Sequence, residues 1–498
     1  MRIARNAVAS VAQVVISALI LFLLYRAILE MLGVERLGIW SVVLATASAS
    51  RIAELGLSAS VTRFVAKYRA QGDEEAVGYV VQTAALSIAI LLVVILFPVY
   101  SLLNVLFEQL FSDEVLGEAR MLLPYAMISF VLTAVGGVFQ SGLDGCQRYD
   151  WRAVLVVSGQ LVFLFAALWL IPHYGLIGLA WAQIGQGAVL LVVGWLLLRR
   201  LLPCLPWIPH KWRWAAFREM LGYGLQFQLG AVAMILFEPL TKALLGKYGG
   251  LSAAGYYEMA SQFVNKARAL IVSANQVVVP VIAGLNEQDP HQLKSLYRTN
   301  LRLLFFIVLP LYALVVAWAP LLSELWVGWY EPDFMFFVAV LALAWCINTF
   351  SVPAYFSNQG GGRLVWNTTA HVWMGVANAG MGLLLGPHFG AAGIAWGMAA
   401  AIITGSVLIV VIFHREQNLS WGLFLPGEAL APAIASIVLI VAEFYTYHAL
   451  SGESAIVRLL ACIILPFLML GPALWCHPLR PIFQDRVYNI LGKRAAAG

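Results

Sequence analysis

The segment Pro172–Trp181, PHYGLIGLAW, returns 215 residues later as Pro387–Trp396, PHFGAAGIAW, with six of ten positions identical. Further glycine, arginine and tryptophan positions match at the same offset: Gly145 with Gly360, Arg148 with Arg363, and Trp151 with Trp366. Earlier in each half the offset is 217, and it aligns these pairs: Gly33 with Gly250, Gly38 with Gly255, Trp40 with Tyr257, and Arg51 with Arg268. A shift of two residues is what a loop insertion produces, so the chain contains two copies of one unit.

The composition requires a lipid environment. Apolar residues make up 62% of the chain and charged residues 11%, whereas a soluble domain is roughly half apolar and about a quarter charged. The mean hydropathy is +0.85. Met1–Leu29 has arginines before its apolar run, but the run is too long for a signal peptide and lacks a small-residue cleavage site. We therefore expect a polytopic membrane protein whose first span is retained.

Apolar runs separated by glycines, prolines and charged clusters predict an all-α fold with about fourteen transmembrane helices. Helices are expected because backbone groups in lipid must be hydrogen-bonded within the segment, and the alternation typical of barrel strands is missing. The predicted spans start near these residues: Asn6, Gly38, Tyr79, Met121, Ala153, Gly175, Leu221, Ala254, Leu301, Phe334, Leu364, Gly390, Ala429 and Ala455.

The charges predict the orientation of these spans. With both termini in the cytoplasm, 21 of the 30 lysines and arginines fall on the cytoplasmic side. The outer side keeps four: Arg36, Arg120, Lys247 and Arg458. This asymmetry follows the positive-inside rule. We expect a multi-pass membrane protein with both termini cytoplasmic.

The repeat predicts the domain organisation. Residues 1–200 form an N-lobe of spans 1–6, residues 201–218 a cytoplasmic linker, and residues 219–415 a C-lobe of spans 7–12. Residues 416–498 hold spans 13 and 14 and a cytoplasmic tail. Because six is even, both lobes enter the membrane with the same orientation. Parallel repeats of this kind are typical of transporters whose site lies between the halves.

Five basic residues fall inside or near the ends of spans: Arg26, Arg51, Lys242, Lys266 and Arg268. A charge at bilayer depth is costly and indicates a functional cavity by default. At 3.6 residues per turn, each repeat carries a stripe on one helix face. The predicted stripes are Trp40, Arg51 and Ser58 in span 2, and Tyr257, Arg268 and Asn275 in span 8. Facing each other, they would form a cationic, partly aromatic binding cavity.

Local neutralisation is the alternative for some of these charges. Glu54 lies three residues after Arg51, a spacing typical of structural pairs, whereas Ile271 holds the equivalent place after Arg268. Glu238 lies four residues before Lys242 and is either its counter-charge or, with Glu54, a candidate for coupling to an ion gradient. We expect no catalytic residue, no metal site and no cofactor, since the five cysteines are scattered and no phosphate-binding glycine loop precedes a lysine.

The charge of the cavity predicts the cargo. A guanidinium suits phosphate or carboxylate in bidentate geometry, and tryptophan and tyrosine suit stacking on sugars. An anionic, sugar-bearing head group therefore fits better than a cationic drug, and no nucleic-acid partner is expected.

Two segments resemble a known family. The segment Gly33–Glu75, which begins GVERLGIWSVVLATASASRIAELGLSASVTRF, and the segment Glu238–Ala260, EPLTKALLGKYGGLSAAGYYEMA, are similar to the bacterial Wzx-like polysaccharide-transport flippases. These belong to the multidrug/oligosaccharidyl-lipid/polysaccharide (MOP) exporter superfamily. The resemblance covers most of the chain and is loose and glycine-rich, so it specifies the superfamily better than the substrate.

The resemblance implies a two-lobed flippase for a polyprenyl-diphosphate-linked oligosaccharide, used in building O-antigen, capsule or exopolysaccharide. It implies a cationic cavity lined by helices 1, 2, 7 and 8, where Arg26, Arg51, Lys242 and Arg268 lie, and membrane lipid, a polysaccharide polymerase and other assembly proteins as partners. In related lipid flippases the helices equivalent to spans 13 and 14 can form a groove for the lipid tail, and the resemblance also implies a place in the bacterial inner membrane. The alternatives are a peptidoglycan-precursor flippase, a multidrug exporter or a membrane-embedded polysaccharide polymerase or ligase, the last disfavoured by short outer loops.

Overall fold

The computed structural model describes residues 2–48, 54, 56–276, 290–360, 364–421, 427–476 and 480. Within these ranges, the side chains at 2–11, 225–236, 273–276, 290–296, 360, 364, 428 and 455 lie outside the description. The described residues form helices, turns and bends, with no strand among them. This confirms the predicted all-α fold.

The α-helices of the first half are α1 (Arg2–Leu32), α2 (Val34–Ser48), α3 (Leu57–Ala70), α4 (Glu74–Leu110), α5 (Asp113–Gly145), α6 (Tyr149–Leu201) and α7 (Trp214–Leu244). A π-helical turn, Leu245–Gly249, follows. The later helices are α8 (Leu251–Gln276), α9 (Pro290–Ala317), α10 (Ala319–Val327), α11 (Pro332–Phe350), α12 (Val352–Gly360), α13 (Leu364–Glu416), α14 (Leu430–Ala449) and α15 (Ala455–Trp475).

Among the described residues, nine helices are long and apolar enough to cross a membrane. Two of the nine, α6 and α13, each contain two predicted spans. The other predicted spans, 2, 7 and 8, fall on α2 with α3, on α7 and on α8. Each of the fourteen predicted starting points lies within or next to a helix. The chain is an all-α polytopic membrane protein.

Helix α6 is a hairpin of two antiparallel spans. Its 53 residues would extend about 80 Å if straight, far beyond the ~30 Å of a bilayer core. Gly175 breaks it with φ +57° and ψ −132°, a backbone conformation that side chains rarely allow. On either side of this turn, a Cβ atom on Gly194 would meet Leu155, and one on Gly159 would meet Leu190. The two arms therefore pack together through glycine.

Helix α13 repeats this design. Gly390 lies at φ +57° and ψ −138°. A Cβ atom on Gly397 would meet Met381, and one on Gly405 would meet Met374, so the chain again returns on itself. The repeated PH-x-G segments are the tips of these two hairpins. The sequence repeat is thus also a backbone repeat, which supports the prediction that PHYGLIGLAW separates spans 5 and 6.

Span 2 departs from the expectation of one continuous helix. Helix α2 ends at Ser48, and α3 begins at Leu57 after Gly56, which has φ +67°. A Cβ atom on Gly56 would overlap the backbone of Gly224 on α7, so both the conformation and the close approach require glycine. The predicted alignment of Trp40 with Ser58 on one helical face is therefore wrong, because the face does not continue through the break.

The chain divides into two compact units. One consists of Arg2–Gly255 with Leu383–Ile394, and the other of Tyr256–Gly382 with Ala395–Gly498. A large core of the first unit is built from the helices α3 through α7 and includes Val61, Phe64, Val81, Val138 and Leu198. In the second unit, Ala313 and Ala317 of α9 pack with Leu439 of α14 and Leu470 of α15. The predicted lobe boundaries stay a prediction.

Candidate functional site

Arg268 is held by α11 within the second unit. Its Nη2 donates to Oδ1 of Asn348 at 3.2 Å, and its guanidinium lies 4.2 Å from the centre of the Trp345 ring. Trp345 and Asn348 are three residues apart and share one face of α11. Asn348 in turn donates to the Ser406 hydroxyl on α13 at 2.9 Å. The arginine is therefore anchored through neutral groups on two helices.

No carboxylate neutralises Arg268 within the described part of the chain. Among the described residues, no aspartate or glutamate oxygen lies within 4.0 Å of a guanidinium nitrogen of Arg268. Its Nε is buried without a hydrogen-bond partner, although a guanidinium has five N–H donors. Tyr312, Tyr355 and His371 lie within electrostatic reach. A buried guanidinium with unused donors and polar neighbours can bind a phosphate or carboxylate.

The two aromatic residues of the predicted stripes are buried. Trp40 is 5% exposed and Tyr257 is 2% exposed. The Tyr257 hydroxyl lies 3.1 Å from Sδ of Met398, and its ring packs edge-on against Phe337. In this conformation neither ring has an open face on which a sugar could stack.

Two of the other basic residues have local acidic partners. Nζ of Lys242 lies 3.0 Å from Oε1 of Glu238, and the lysine is the buried member of the pair. The helical ion pair that their spacing allows is therefore present. Arg26 forms an ion pair with Glu30 at 2.8 Å on the exposed surface of α1. Both charges are compensated, so the binding and coupling roles of these residues stay predictions.

Lys266 lies on the same helix as Arg268 but on a different face, because two residues turn an α-helix by about 200°. It is half-buried, and no ion pair or hydrogen bond involves it within the described chain. The Ser58 hydroxyl is buried without a hydrogen-bond partner. The structure thus places Lys266 and Ser58 apart from the environment that holds Arg268.

Three further predicted residues lie near the break in span 2 or at the end of α8. Glu54 is half-buried between α2 and α3. Arg51 and the side chain of Asn275 lie outside the described residues. The facing arrangement of Arg51 and Arg268 therefore stays a prediction.

A polar contact joins α3 to α7 within the first unit. Glu219 accepts hydrogen bonds from Nζ of Lys67 at 3.0 Å and from Oη of Tyr68 at 2.6 Å, and the Arg63 guanidinium lies over the Tyr223 ring at 4.2 Å. Burial alone would raise the pKa of Glu219, but the bonds from Tyr68 and Lys67 outweigh it and lower that pKa. The hydrogen bond to Glu219 raises the pKa of Lys67.

A second contact in the first unit is reciprocal. A Cβ atom on Gly38 of α2 would overlap the backbone of Leu251, and one on Gly255 would overlap the backbone of Val34. Gly38 and Gly255, like Val34 and Leu251, are partners at the offset of 217. The first turns of α2 and α8 therefore meet as equivalent copies around a local two-fold relationship.

The family of the chain follows from its sequence. A family profile described as "Polysaccharide biosynthesis protein" matches residues 3–286, which is more than half of the chain. The chain belongs to this family. No curated protein matches it.

Solved structures share the fold at low sequence identity. A lipid II flippase, MurJ, in an inward closed conformation is 13% identical, with 94% of this chain and 98% of that chain covered and a TM-score of 0.67. An inward-facing multidrug resistance MATE family transporter of the MOP superfamily is 15% identical, with 83% and 98% covered and a TM-score of 0.66. A MOP superfamily transporter from Pyrococcus furiosus is 14% identical, with 84% and 96% covered and a TM-score of 0.61. The fold is that of MOP superfamily transporters.

Sequence reasoning singled out Arg268 but not the residues around it. Trp345, Asn348, Tyr312, Tyr355 and His371 are all on helices after α8. The available signal was Asn348, a polar residue inside an otherwise apolar span and three residues from a tryptophan. Spacing within a single helix could not connect it to Arg268, because the contact joins residues 80 positions apart.

Proposed function

We propose that the protein is a flippase that moves a polyprenyl-diphosphate-linked oligosaccharide across the bacterial inner membrane, with both termini in the cytoplasm. The cargo would serve the biosynthesis of a cell-surface polysaccharide such as lipopolysaccharide O-antigen, capsule or exopolysaccharide. The family match supports the link to polysaccharide biosynthesis. The fold supports transport, since a lipid II flippase and MATE transporters share it.

The environment of Arg268 is the observation that supports an anionic cargo. Its guanidinium has unused donors and no neutralising carboxylate within the described chain. A diphosphate supplies the negative charge and the acceptor oxygens that such a group requires. The protein would alternate between an inward-open and an outward-open conformation. The head group would pair with Arg268 and, in the other repeat, with Arg51. The polyprenyl tail would stay in lipid.

The principal alternative is a flippase for a peptidoglycan precursor, which also carries a diphosphate. The same basic residues could bind the diphosphate of either cargo. Only the glycan can therefore distinguish the oligosaccharide carrier from the peptidoglycan precursor. A multidrug exporter for cationic compounds is less compatible with the site, because it would require an unpaired carboxylate. Glu238, one candidate for such a role, is paired with Lys242.

A flipping assay in proteoliposomes tests the proposal. A fluorescent polyprenyl-diphosphate oligosaccharide, lipid II and a cationic dye would be compared as cargo. A hydrogen bond to a charged group contributes about 1.5–3 kcal/mol, so we expect Arg268→Ala to slow oligosaccharide flipping roughly ten- to hundred-fold. Arg36→Gln, which removes an exposed charge paired with Glu118, is the matched control.

Three results would contradict this proposal. Equal flipping by wild type and a well-folded Arg268→Ala variant would show that Arg268 does not bind the cargo. Transport of lipid II in preference to the oligosaccharide would favour the precursor flippase. Export of the cationic dye alone would favour a drug exporter. Co-purification with a polysaccharide polymerase would test the predicted assembly partners separately.

A further inference from the structure

Glu443 on α14 is buried in an apolar contact between helices. The residue is 1% exposed, and neither carboxyl oxygen has a hydrogen-bond partner. Ser436, two turns earlier on the same helix, is also buried with an unpartnered hydroxyl. Both residues lie in span 13, which the repeat does not include. They are separate from the environment of Arg268.

Among the described residues, none on the helices packed around α14 brings a positive charge next to Glu443. Helix α9 contributes Ala313, Leu314 and Ala317 to the contact. Helix α15 contributes the Cys462 thiol, which is the side chain in polar contact with the carboxyl group. An ionised carboxylate that is buried beside only a thiol, which is a weak donor, and without a counter-charge is strongly destabilised. Burial in this contact therefore favours the neutral carboxylic acid over the carboxylate.

Polar side chains connect the neighbourhood of Glu443 with the surface. Cys462 is within electrostatic reach of Glu324 and Arg458 as well as Glu443. Glu324 of α10 and Arg458 of α15 form an ion pair at 2.6 Å and are partly exposed. Tyr447, one turn after Glu443, lies beside Glu324 and near Tyr330, whose ring also contacts the exposed His448.

The distance to the surface is short. Ala449, the last residue of α14, lies six positions after Glu443, which corresponds to about 9 Å along the helix. Arg458 neutralises Glu324 and thus does not compensate a charge at Glu443. The structure has a buried acid at the inner end of this polar chain and a partly exposed ion pair at the other end.

We propose that Glu443 is a proton-binding site that is occupied by a proton in this conformation and exchanges it with water on the side of Glu324 and Arg458. The step is a protonation in which the carboxylate takes H⁺ from hydronium in water and becomes a carboxylic acid. Release requires that α14 and α15 admit water to the carboxyl group. The use of this proton to drive transport rests on the proposed function, whereas the proton site itself does not.

Carbodiimide labelling of the full-length protein tests the site directly. Dicyclohexylcarbodiimide is apolar and reacts with protonated carboxyl groups, and mass spectrometry locates the product. Glu453, exposed in the turn between α14 and α15, is an internal control with an ordinary environment. At about pH 7 an ordinary glutamate is almost fully ionised, so we expect at least tenfold more labelling at Glu443 than at Glu453. Equal labelling, or more at Glu453, would overturn the proposal.

Infrared spectroscopy covers the case in which the reagent cannot reach the site. The protonated carboxyl group gives a C=O stretching band, which we expect to be present near neutral pH in wild type and lost in Glu443→Gln. Glu443→Asp keeps a carboxyl group and is expected to restore a shifted band. If wild type and Glu443→Gln have the same spectrum in this region, Glu443 is ionised and the proposal fails.

A transport assay separates this proposal from the proposed function. In proteoliposomes with an imposed pH gradient, we expect Glu443→Gln to lose the stimulation by the gradient while it retains passive exchange of cargo. Stimulation of Glu443→Gln equal to that of wild type would exclude a coupling role. If wild type moves no lipid-linked oligosaccharide at all, the proposed function fails, and the labelling and infrared results still decide whether Glu443 binds a proton.

Discussion

Gly175 and Gly390 are 215 residues apart and share one backbone conformation, with φ +57° at both and ψ of −132° and −138°. Each lies at the tip of a helical hairpin formed by two spans. Agreement within a few degrees at equivalent positions is expected if the two segments descend from one repeated unit. The shared tip also explains why both copies keep glycine at this position, since a side chain there strains the backbone.

Alanine at either hairpin tip should destabilise the protein. The backbone conformation of these glycines costs a residue with a side chain about 1–3 kcal/mol, so we expect Gly175→Ala and Gly390→Ala each to lower the thermal unfolding temperature in detergent. The loss should be greater at Gly390, where the new Cβ atom would also come within 3.3 Å of the Tyr248 carbonyl oxygen. Gly185→Ala, in ordinary contact inside α6, is the matched control and should not destabilise.

Alanine at Gly38 should disrupt the reciprocal contact of α2 with α8. The new methyl group would overlap the Leu251 backbone, and overpacking costs about 1–3 kcal/mol. Hydrogen exchange should rise in the first turns of both helices. Gly117→Ala adds a methyl group to open space in α5 and should gain up to about 1 kcal/mol from helix propensity. Unchanged exchange in Gly38→Ala would contradict the close approach.

The contact of Lys67 and Tyr68 with Glu219 should depend on pH. The lowered pKa of Glu219 means that its stabilising effect is present above the ordinary glutamate pKa of about 4.3 and is lost as the pH falls through the lowered value. The raised pKa of Lys67 means that its effect is present below the ordinary lysine pKa of about 10.4 and is lost as the pH rises through the raised value.

Hydrogen exchange of α3 and the start of α7 measures this dependence. At neutral pH we expect Glu219→Gln to exchange faster than wild type in both segments. Below the folded-state pKa of Glu219 the two proteins should converge, because wild type has then lost the same charge. A constant difference between them at every pH would show that the carboxylate is not the source of the stabilisation.

A carboxylate placed beside Arg268 should block the proposed anion site. Asn348→Asp is nearly isosteric and would place a negative charge next to Nη2, 3.2 Å from the present amide oxygen. We expect flipping of the lipid-linked oligosaccharide to fall at least tenfold while folding is retained. Asn104→Asp changes the same side chain at an exposed position on α4 and should leave flipping near the wild-type rate. Equal activity of the two variants would argue against anion binding at Arg268.

The architecture could be predicted largely from the sequence because its signals are local and repeated. Apolar runs of membrane length located the spans, and the glycine-rich echo of Pro172–Trp181 located both hairpin tips. The break in span 2 could not be predicted in this way, because no proline marks it and Gly56 is one of 42 glycines in the chain. Its cause is a contact with Gly224, more than 150 positions from Gly56.

The candidate site was only partly predictable for a related reason. An arginine in an apolar span is visible in sequence, and so are acidic residues one helical turn away, as Glu238 is from Lys242. The neutral partners of Arg268 are not visible, because Trp345 and Asn348 belong to another helix. Burial was also unpredictable, and it is what closes Trp40 and Tyr257 to a sugar in this conformation.

Because span 2 is interrupted at Gly56, its two halves make separate contacts. Helix α2 holds the glycine contact with Leu251, and α3 holds the charged contact with Glu219. A rigid rod would transmit the loss of one contact to the other and would release both ends together. A span that bends at Gly56 does not couple its two ends in this way, so one contact can open while the other stays closed.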